Sequence, residues 1–234
     1  MDFDKLNSQQ LQAATFTGKH LLVLAGAGTG KTRTIIARAI YLLQNGVDPH
    51  RIKILSFTRK SAQEIAERIK IESSGLPEAK KMTGSTFHSW CMELIMRYSD
   101  AFGLQGYSCI DEDDRETAIK LVIGRLYGGK KEIKLKGKNG GRLQAGTISE
   151  VYSYSINTRC NLTTAIKAKM YPLMHGEEID KLIEEVRVVI TEIIKGYIEY
   201  KVEHRYLDYD DMLSAVAVLL KKNEKLRNLI AGQY

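Results

Sequence analysis

Cysteine is scarce in this chain: Cys91, Cys109 and Cys160 are the only three in 234 residues, and no Cys-x-x-Cys pair occurs. An odd, scattered set builds neither a zinc site nor a disulfide framework; it fits a reducing cytosol and sets the expectation of a cytoplasmic protein. Long apolar runs are missing too. No uncharged stretch approaches the roughly 18–20 residues of a membrane span, and residues 1–10 are polar, which argues against a transmembrane or secreted chain. Internal repeats and low-complexity tracts are absent. Apolar residues make up 44% and charged residues 27%, ordinary globular usage that excludes a disordered or fibrous chain. At ~100–200 residues per domain, the length suits one large domain or one domain carrying an insertion.

What charge there is lies unevenly. Between Arg125 and Arg142 stand seven basic residues (Arg125, Lys130, Lys131, Lys134, Lys136, Lys138, Arg142) and a single acid, Glu132, nearly the whole formal net charge of +7. Such clustering fits a polyanionic partner. The glycines in the same stretch, Gly128, Gly129, Gly137, Gly140 and Gly141, fit a solvated loop equally well.

The first hundred residues alternate strand and helix signals. His20 to Ala25 is a short apolar run of the kind a buried parallel strand gives. A glycine-rich turn follows, then a helical pattern with Ile35, Ile36, Ala39, Ile40, Leu42 and Leu43 on one broad face, ended by Gly46 and Pro49. Residues 51–57 read as the next strand. Ala62, Ile65, Ala66 and Ile69 then fall at the offsets of one helix face. A weaker strand signal at 82–85 precedes Cys91, Leu94, Ile95 and Tyr98, again at helical offsets. Alternation at this pitch predicts βαβ units and a parallel sheet. From about Asp111 helical patterns take over. The clearest runs from Ile179 to Tyr197, with apolar residues on one face and Glu177 spaced to pair with Lys181. Residues 111–195 therefore read as a mostly helical insertion, and 196–234 is helical again.

Ala25-Gly-Ala-Gly-Thr-Gly-Lys-Thr32, placed between a strand and a helix, is a P-loop in its required context. Gly26, Gly28 and Gly30 let the backbone turn sharply and approach an anion closely. The loop amides, including those of Ala27 and Thr29, and the following helix N-terminus present partial positive charge to phosphates. Lys31 is placed to reach the β/γ-phosphates, and the Thr32 hydroxyl to ligate Mg²⁺.

The P-loop specifies ATP or GTP but not the work done with it. Around it stand Leu6-Asn-Ser-Gln-Gln-Leu-Gln-Ala13, Phe57-Thr-Arg-Lys-Ser-Ala-Gln-Glu64, Ser85-Thr-Phe-His-Ser-Trp-Cys91 and Leu207-Asp-Tyr-Asp-Asp-Met-Leu213, in that order. With these motifs the chain resembles the N-terminal part of a UvrD/Rep/PcrA-type superfamily 1 DNA helicase, loosely over 111–195. The resemblance implies an α/β fold: a RecA-like P-loop NTPase with an incomplete parallel sheet. Residues 1–110 and 196–234 would form the first motor domain, and 111–195 an inserted subdomain. It implies an ATP-dependent 3′→5′ helicase or single-stranded DNA translocase, with ATP and Mg²⁺ as ligands and single-stranded DNA and the duplex junction as partners.

Residue by residue, Gln10 matches the family's adenine-reading glutamine, whose amide both donates and accepts. Arg33 matches a position near the base or ribose, or is a solvated helix residue. Phe57, Thr58 and Arg59 match a single-stranded DNA motif, with Arg59 where Asn is common; Phe57 alternatively points into the core. Thr86, Phe87 and His88 match a second contact to the DNA backbone, while Trp90 reads as a packing residue.

One element is not found in the sequence: an apolar strand ending in Asp-Glu, whose Asp would hold Mg²⁺ and whose Glu would position water. Asp111-Glu112 follows a poor strand, and Asp208 to Asp211 lies in a helical stretch. The expectation is a chain that stops short of that strand, lacks the second motor domain, and is inactive or nearly so alone. The competing readings are a stand-alone nucleotide-binding module and an inactive DNA-binding fragment.

Overall fold

Asn7 is extended, and its carboxamide oxygen accepts from the Gln10 amide, while the Gln10 side chain accepts from the Asn7 amide. This reciprocal cap starts α1 (Ser8–Thr15) by satisfying two amides that a helix end leaves over. The structure, a computed structural model, describes residues 2–73, 75–135, 141–170 and 179–234. Lys136 and Lys138 of the basic window, and Glu177, lie outside them. The fold is mixed α/β, mostly helical with short two-stranded sheets. It divides into two compact units, one of Met1–Glu93 with Leu219–Tyr234 and one of Leu94–Val218. The second unit is broader on both sides than the helical stretch 111–195.

In the first unit α2 (Lys31–Gln44) buries Ile36, Ala39, Ile40 and Leu43 of the predicted face, whereas Ile35 at its edge is 47% exposed and Leu42 half-buried. It ends at Asn45, and Gly46 beyond adopts the left-handed conformation. β1 (Ile54–Ser56) and β2 (Gly84–Thr86) pair in parallel, Ile54 opposite Gly84 and Ser56 opposite Thr86. Between them in sequence runs α3 (Arg59–Glu72), whose Ile65 and Ile69 join the same core with Ile54 and Met82. Only glycine fits at 84, because an added Cβ would fall 2.2 Å from the Ala62 carbonyl oxygen of α3. α4 (Phe87–Arg97) starts directly from β2. α1 packs on α2 through Ala14 against Ala37.

The segment from His20 to Ala25 departs from its expected strand. It has no strand partner among the described residues, and Leu22 and Leu24 are 82% and 87% exposed. Its apolar composition suits a central strand, but composition cannot supply the neighbours that would cover it.

The second unit is built on α6 (Glu112–Leu126), α7 (Ala145–Thr158), α8 (Leu162–Met170) and α9 (Ile179–His204), preceded by the short α5 (Ser99–Phe102). Ile119, Ile123, Leu143, Ile148, Ile166, Ile190 and Tyr197 fill its core. Two short pairs trim it: β3 (Ser108–Cys109) parallel to β6 (Tyr206–Leu207), and β4 (Ile133–Lys134) antiparallel to β5 (Arg142–Leu143). α10 (Tyr209–Lys222) and α11 (Glu224–Ala231) complete the chain. The cysteines are free, and burial pushes the Cys91 thiol up to about 11. No helix among the described residues is long and apolar enough to cross a membrane.

Candidate functional site

The loop ahead of α2 is shaped by its glycines. Gly28 and Gly30 have φ of +75° and +88°, values that L side chains rarely adopt. Gly30 is also the N-cap of α2 and brings no side-chain cap to the first-turn amides. A 14-residue helix thus directs the positive end of its dipole, with amide donors, at the loop. Thr29 Oγ1 donates to the Gly26 carbonyl at 2.8 Å and pins the turn. Lys31 Nζ donates to the carbonyls of Ala25 at 3.1 Å and Gly26 at 2.6 Å. Gln10 reaches the same loop, its Nε2 donating to the Thr29 carbonyl at 2.9 Å. An added Cβ at Gly30 would lie 2.6 Å from that Nε2 and displace the Gln10 amide, but it is the φ of +88° that calls for glycine there.

Gln10, Gly26, Ala27, Gly28, Thr29, Gly30, Lys31, Thr32 and Arg33 therefore fall on one loop, the helix start behind it and the first turns of α1. Lys31 and Thr32 are exposed and Arg33 is half-buried. A cavity of about 760 Å³ opens here, lined by Gln10, Leu22, Leu24, Gly26, Thr29 and Lys31 among others. That volume is within the usual range of small-molecule sites.

The second group sits where β1 and β2 end. Parallel strands carry their carboxyl ends to the same edge, where open α/β sheets place ligands. Each strand hands over to a helix through a threonine. Thr58 Oγ1 accepts from the Ser61 amide at 3.1 Å and caps α3. Thr86 Oγ1 accepts from the Ser89 amide at 3.1 Å and lies 2.9 Å from Ser89 Oγ. Thr86 is buried, with its hydroxyl already engaged, so its local work is to start α4. Phe57 is 90% exposed, which decides against the core-facing alternative. Its ring meets Phe87, 38% exposed, with centroids 5.5 Å apart and planes at 46°. Arg59 is exposed beside them, and His88 is half-buried. Trp90 donates its Nε1–H to Tyr234 Oη at 3.0 Å, a packing role.

A third cluster, in the second unit, gathers the acidic residues of the Leu207–Leu213 motif around a lysine and an arginine that no motif singles out. Lys201 Nζ sits 2.9 Å from Asp208, 2.6 Å from Asp211 and 3.2 Å from Tyr152 Oη, and Tyr197 Oη donates to Asp208 at 2.8 Å. Beside it Arg115 pairs with Asp210 at 2.6 Å, and Asn157 donates to the same carboxylate at 2.8 Å. Burial opposes the Lys201 charge, but Asp208, Tyr152 and Asp211 outweigh it and hold the amine at about 12. Burial likewise works against the Asp208 carboxylate, yet Lys201 keeps it below the usual range. The acidic motif Asp208 to Asp211 is thus consumed in holding α7, α9 and the start of α10 together. The signal in the sequence is only a Lys seven residues before an Asp-rich turn, which reads by default as surface.

Known proteins align along nearly the whole chain. The family described as UvrD/REP helicase N-terminal domain matches residues 6–234. The ATP-dependent DNA helicase Rep of Buchnera aphidicola is 31% identical over 224 residues, 95% of this chain and 31% of that protein. The ATP-dependent DNA helicases PcrA of Staphylococcus epidermidis and Staphylococcus aureus are 30% and 28% identical, over 93% of this chain and 27% of theirs. The chain thus spans less than a third of the length of these relatives.

Proposed function

The chain belongs to the UvrD/REP helicase N-terminal domain family, and from that premise we propose that it is the ATP-binding part of a DNA helicase moving 3′→5′ on single-stranded DNA. The carrying observation is the loop at 25–32, with two left-handed glycines under an uncapped helix N-terminus. In this reading the first unit is the core of a RecA-like motor domain, and the helical segment 111–195 is its insertion. The Phe57–Phe87 edge stacks bases of the strand, with Thr58, Arg59, Thr86 and His88 around it. Aromatic stacking tolerates any sequence, as a translocase requires. The insertion's basic window meets duplex phosphates at the junction.

The loop fits a nucleotide triphosphate and its Mg²⁺. Gly30 puts no side-chain cap on the first-turn amides of α2, which leaves them for phosphate oxygens, and the hydroxyl of the exposed Thr32 is a hard oxygen donor of the kind Mg²⁺ takes. Mg²⁺ when bound neutralises charge building up on the phosphates. With nucleotide bound, Lys31 would exchange its two carbonyl partners for phosphate oxygens, and Gln10, held at Oε1 by the Asn7 amide and at Nε2 by the Thr29 carbonyl, would turn its remaining amide hydrogen and lone pair to adenine. An apolar strand ending in Asp-Glu is not found in these 234 residues, so the reading includes binding without efficient turnover. Binding of a fluorescent ATP analogue with Mg²⁺ tests it. The expected result is saturable binding weakened at least tenfold by Lys31→Ala, with steady-state hydrolysis near background with or without single-stranded DNA. Binding indifferent to Lys31→Ala would remove the nucleotide assignment. Vigorous hydrolysis lost in that variant would place the acidic element within this chain.

A further inference from the structure

Within the second unit, β3, the first turns of α6, the end of α9 and β6 enclose a cavity of about 290 Å³. Its walls include Cys109, Ile110, Asp114, Thr117, Tyr200 and Tyr206. The volume lies at the low end for ligand sites, right for a single side chain and small for a nucleotide. The two tyrosines are held by His204, stacked on Tyr200 at 4.0 Å and on Tyr206 at 5.6 Å with planes 24° and 26° apart. The His204 ring is fixed in turn by a contact of 2.9 Å between Nδ1 and the Tyr200 carbonyl. The ring faces are therefore positioned before any ligand arrives.

The one charged side chain among the residues lining the cavity is a carboxylate. Asp111, Glu112, Asp113 and Asp114 crowd the start of α6, and Asp114 is on the wall itself. Among the described residues no lysine or arginine lines it. Lys201 is committed to Asp208 and Asp211, and the Arg205 guanidinium lies against Gly106, 3.1 Å from where a Cβ there would be. The Cys109 thiol senses this field: burial pushes it up, and Asp208, Asp111 and Asp211 push it further. A nucleobase would bring its phosphate against these carboxylates. A cation meets both the negative faces of the tyrosines and the carboxylate, and a planar guanidinium also stacks on a ring.

We propose that this cavity receives an arginine side chain presented by a protein partner, its guanidinium against Tyr200 and Tyr206 and its charge met by Asp114. The site does not involve the loop at 25–32 or the Phe57 edge, so it stands whether or not the helicase assignment does.

The test titrates the full chain with Nα-acetyl-arginine amide and with its neutral isostere Nα-acetyl-citrulline amide. NMR follows the amides of Ser108, Cys109 and Tyr206 and the tyrosine rings. The arginine compound should shift these signals saturably and bind about tenfold tighter than the citrulline compound. Asp114→Asn, which keeps an acceptor for the helix cap, should weaken the arginine compound severalfold, and Tyr206→Leu should do the same. Should Tyr206→Leu fail to fold, Tyr206→Phe keeps the ring and should bind as the parent does. Equal affinity for the two compounds, no shift at these positions, or shifts produced by oligothymidylate in place of the arginine compound would overturn the proposal.

Discussion

At the scale of the residue, Phe57 carries the sharpest consequence. Apolar residues at strand ends are ordinarily buried, yet this ring is 90% exposed and leans on Phe87. Base stacking on such a ring contributes ~1–3 kcal/mol. Phe57→Ala should therefore weaken binding of short oligothymidylate about tenfold by fluorescence anisotropy, with thermal stability unchanged because the side chain covers no core. Unchanged affinity would take the edge out of the nucleic-acid site. The sequence made the residue types legible here, and the glycine positions with them, since no other residue adopts those turns readily. It left open which way Phe57 points, because a strand's last residue lies where burial ends. It named Thr86 as a contact to the DNA backbone and gave no sign that its hydroxyl caps α4.

At the scale of the element, periodicity served well wherever a helix packs on its own neighbours, as α2, α3 and α9 do. It served poorly at residues 20–25, where apolar content describes an affinity for strands that the segment itself cannot provide. It also missed the Lys201 cluster, because a charged side chain is buried only when partners from other helices converge on it. That cluster makes the second unit sensitive to alkali. The Lys201 amine is held at about 12, above its ordinary 10.5, and burial raises the Tyr152 hydroxyl to about 12 as well. Both groups bind protons more tightly when folded. Their stabilisation is fully present below the unfolded values, near 10 and 10.5, and disappears as pH climbs through about 12. For Lys201 this is on the order of 2 kcal/mol. Thermal melts should show a midpoint falling between pH 10 and 12. Lys201→Met, which strands two carboxylates, should lose about 3–5 kcal/mol at pH 8 and show a flatter fall. A midpoint independent of pH over that range would contradict the cluster as described.

At the scale of the whole molecule, charge is the property that no single element owns. Most of the formal +7 traces to the window between Arg125 and Arg142, in which Arg142 is already paired with Glu132 at 2.5 Å. Lys130, Lys131 and Lys134 are exposed and have no carboxylate partner among the described residues. Replacing these three with glutamine should lower duplex affinity and reduce its salt slope by up to ~0.9 for each phosphate no longer neutralised. Affinity and slope equal to the parent's would mark the window as solvated loop only. Selectivity among anions has a different origin. The Lys31 ammonium already rests on two main-chain oxygens, so it is no bare charge open to any passing ion. On the proposed nucleotide reading, a chain of linked phosphates would bring several oxygens at once to replace those two carbonyls, where a lone chloride would bring a single contact.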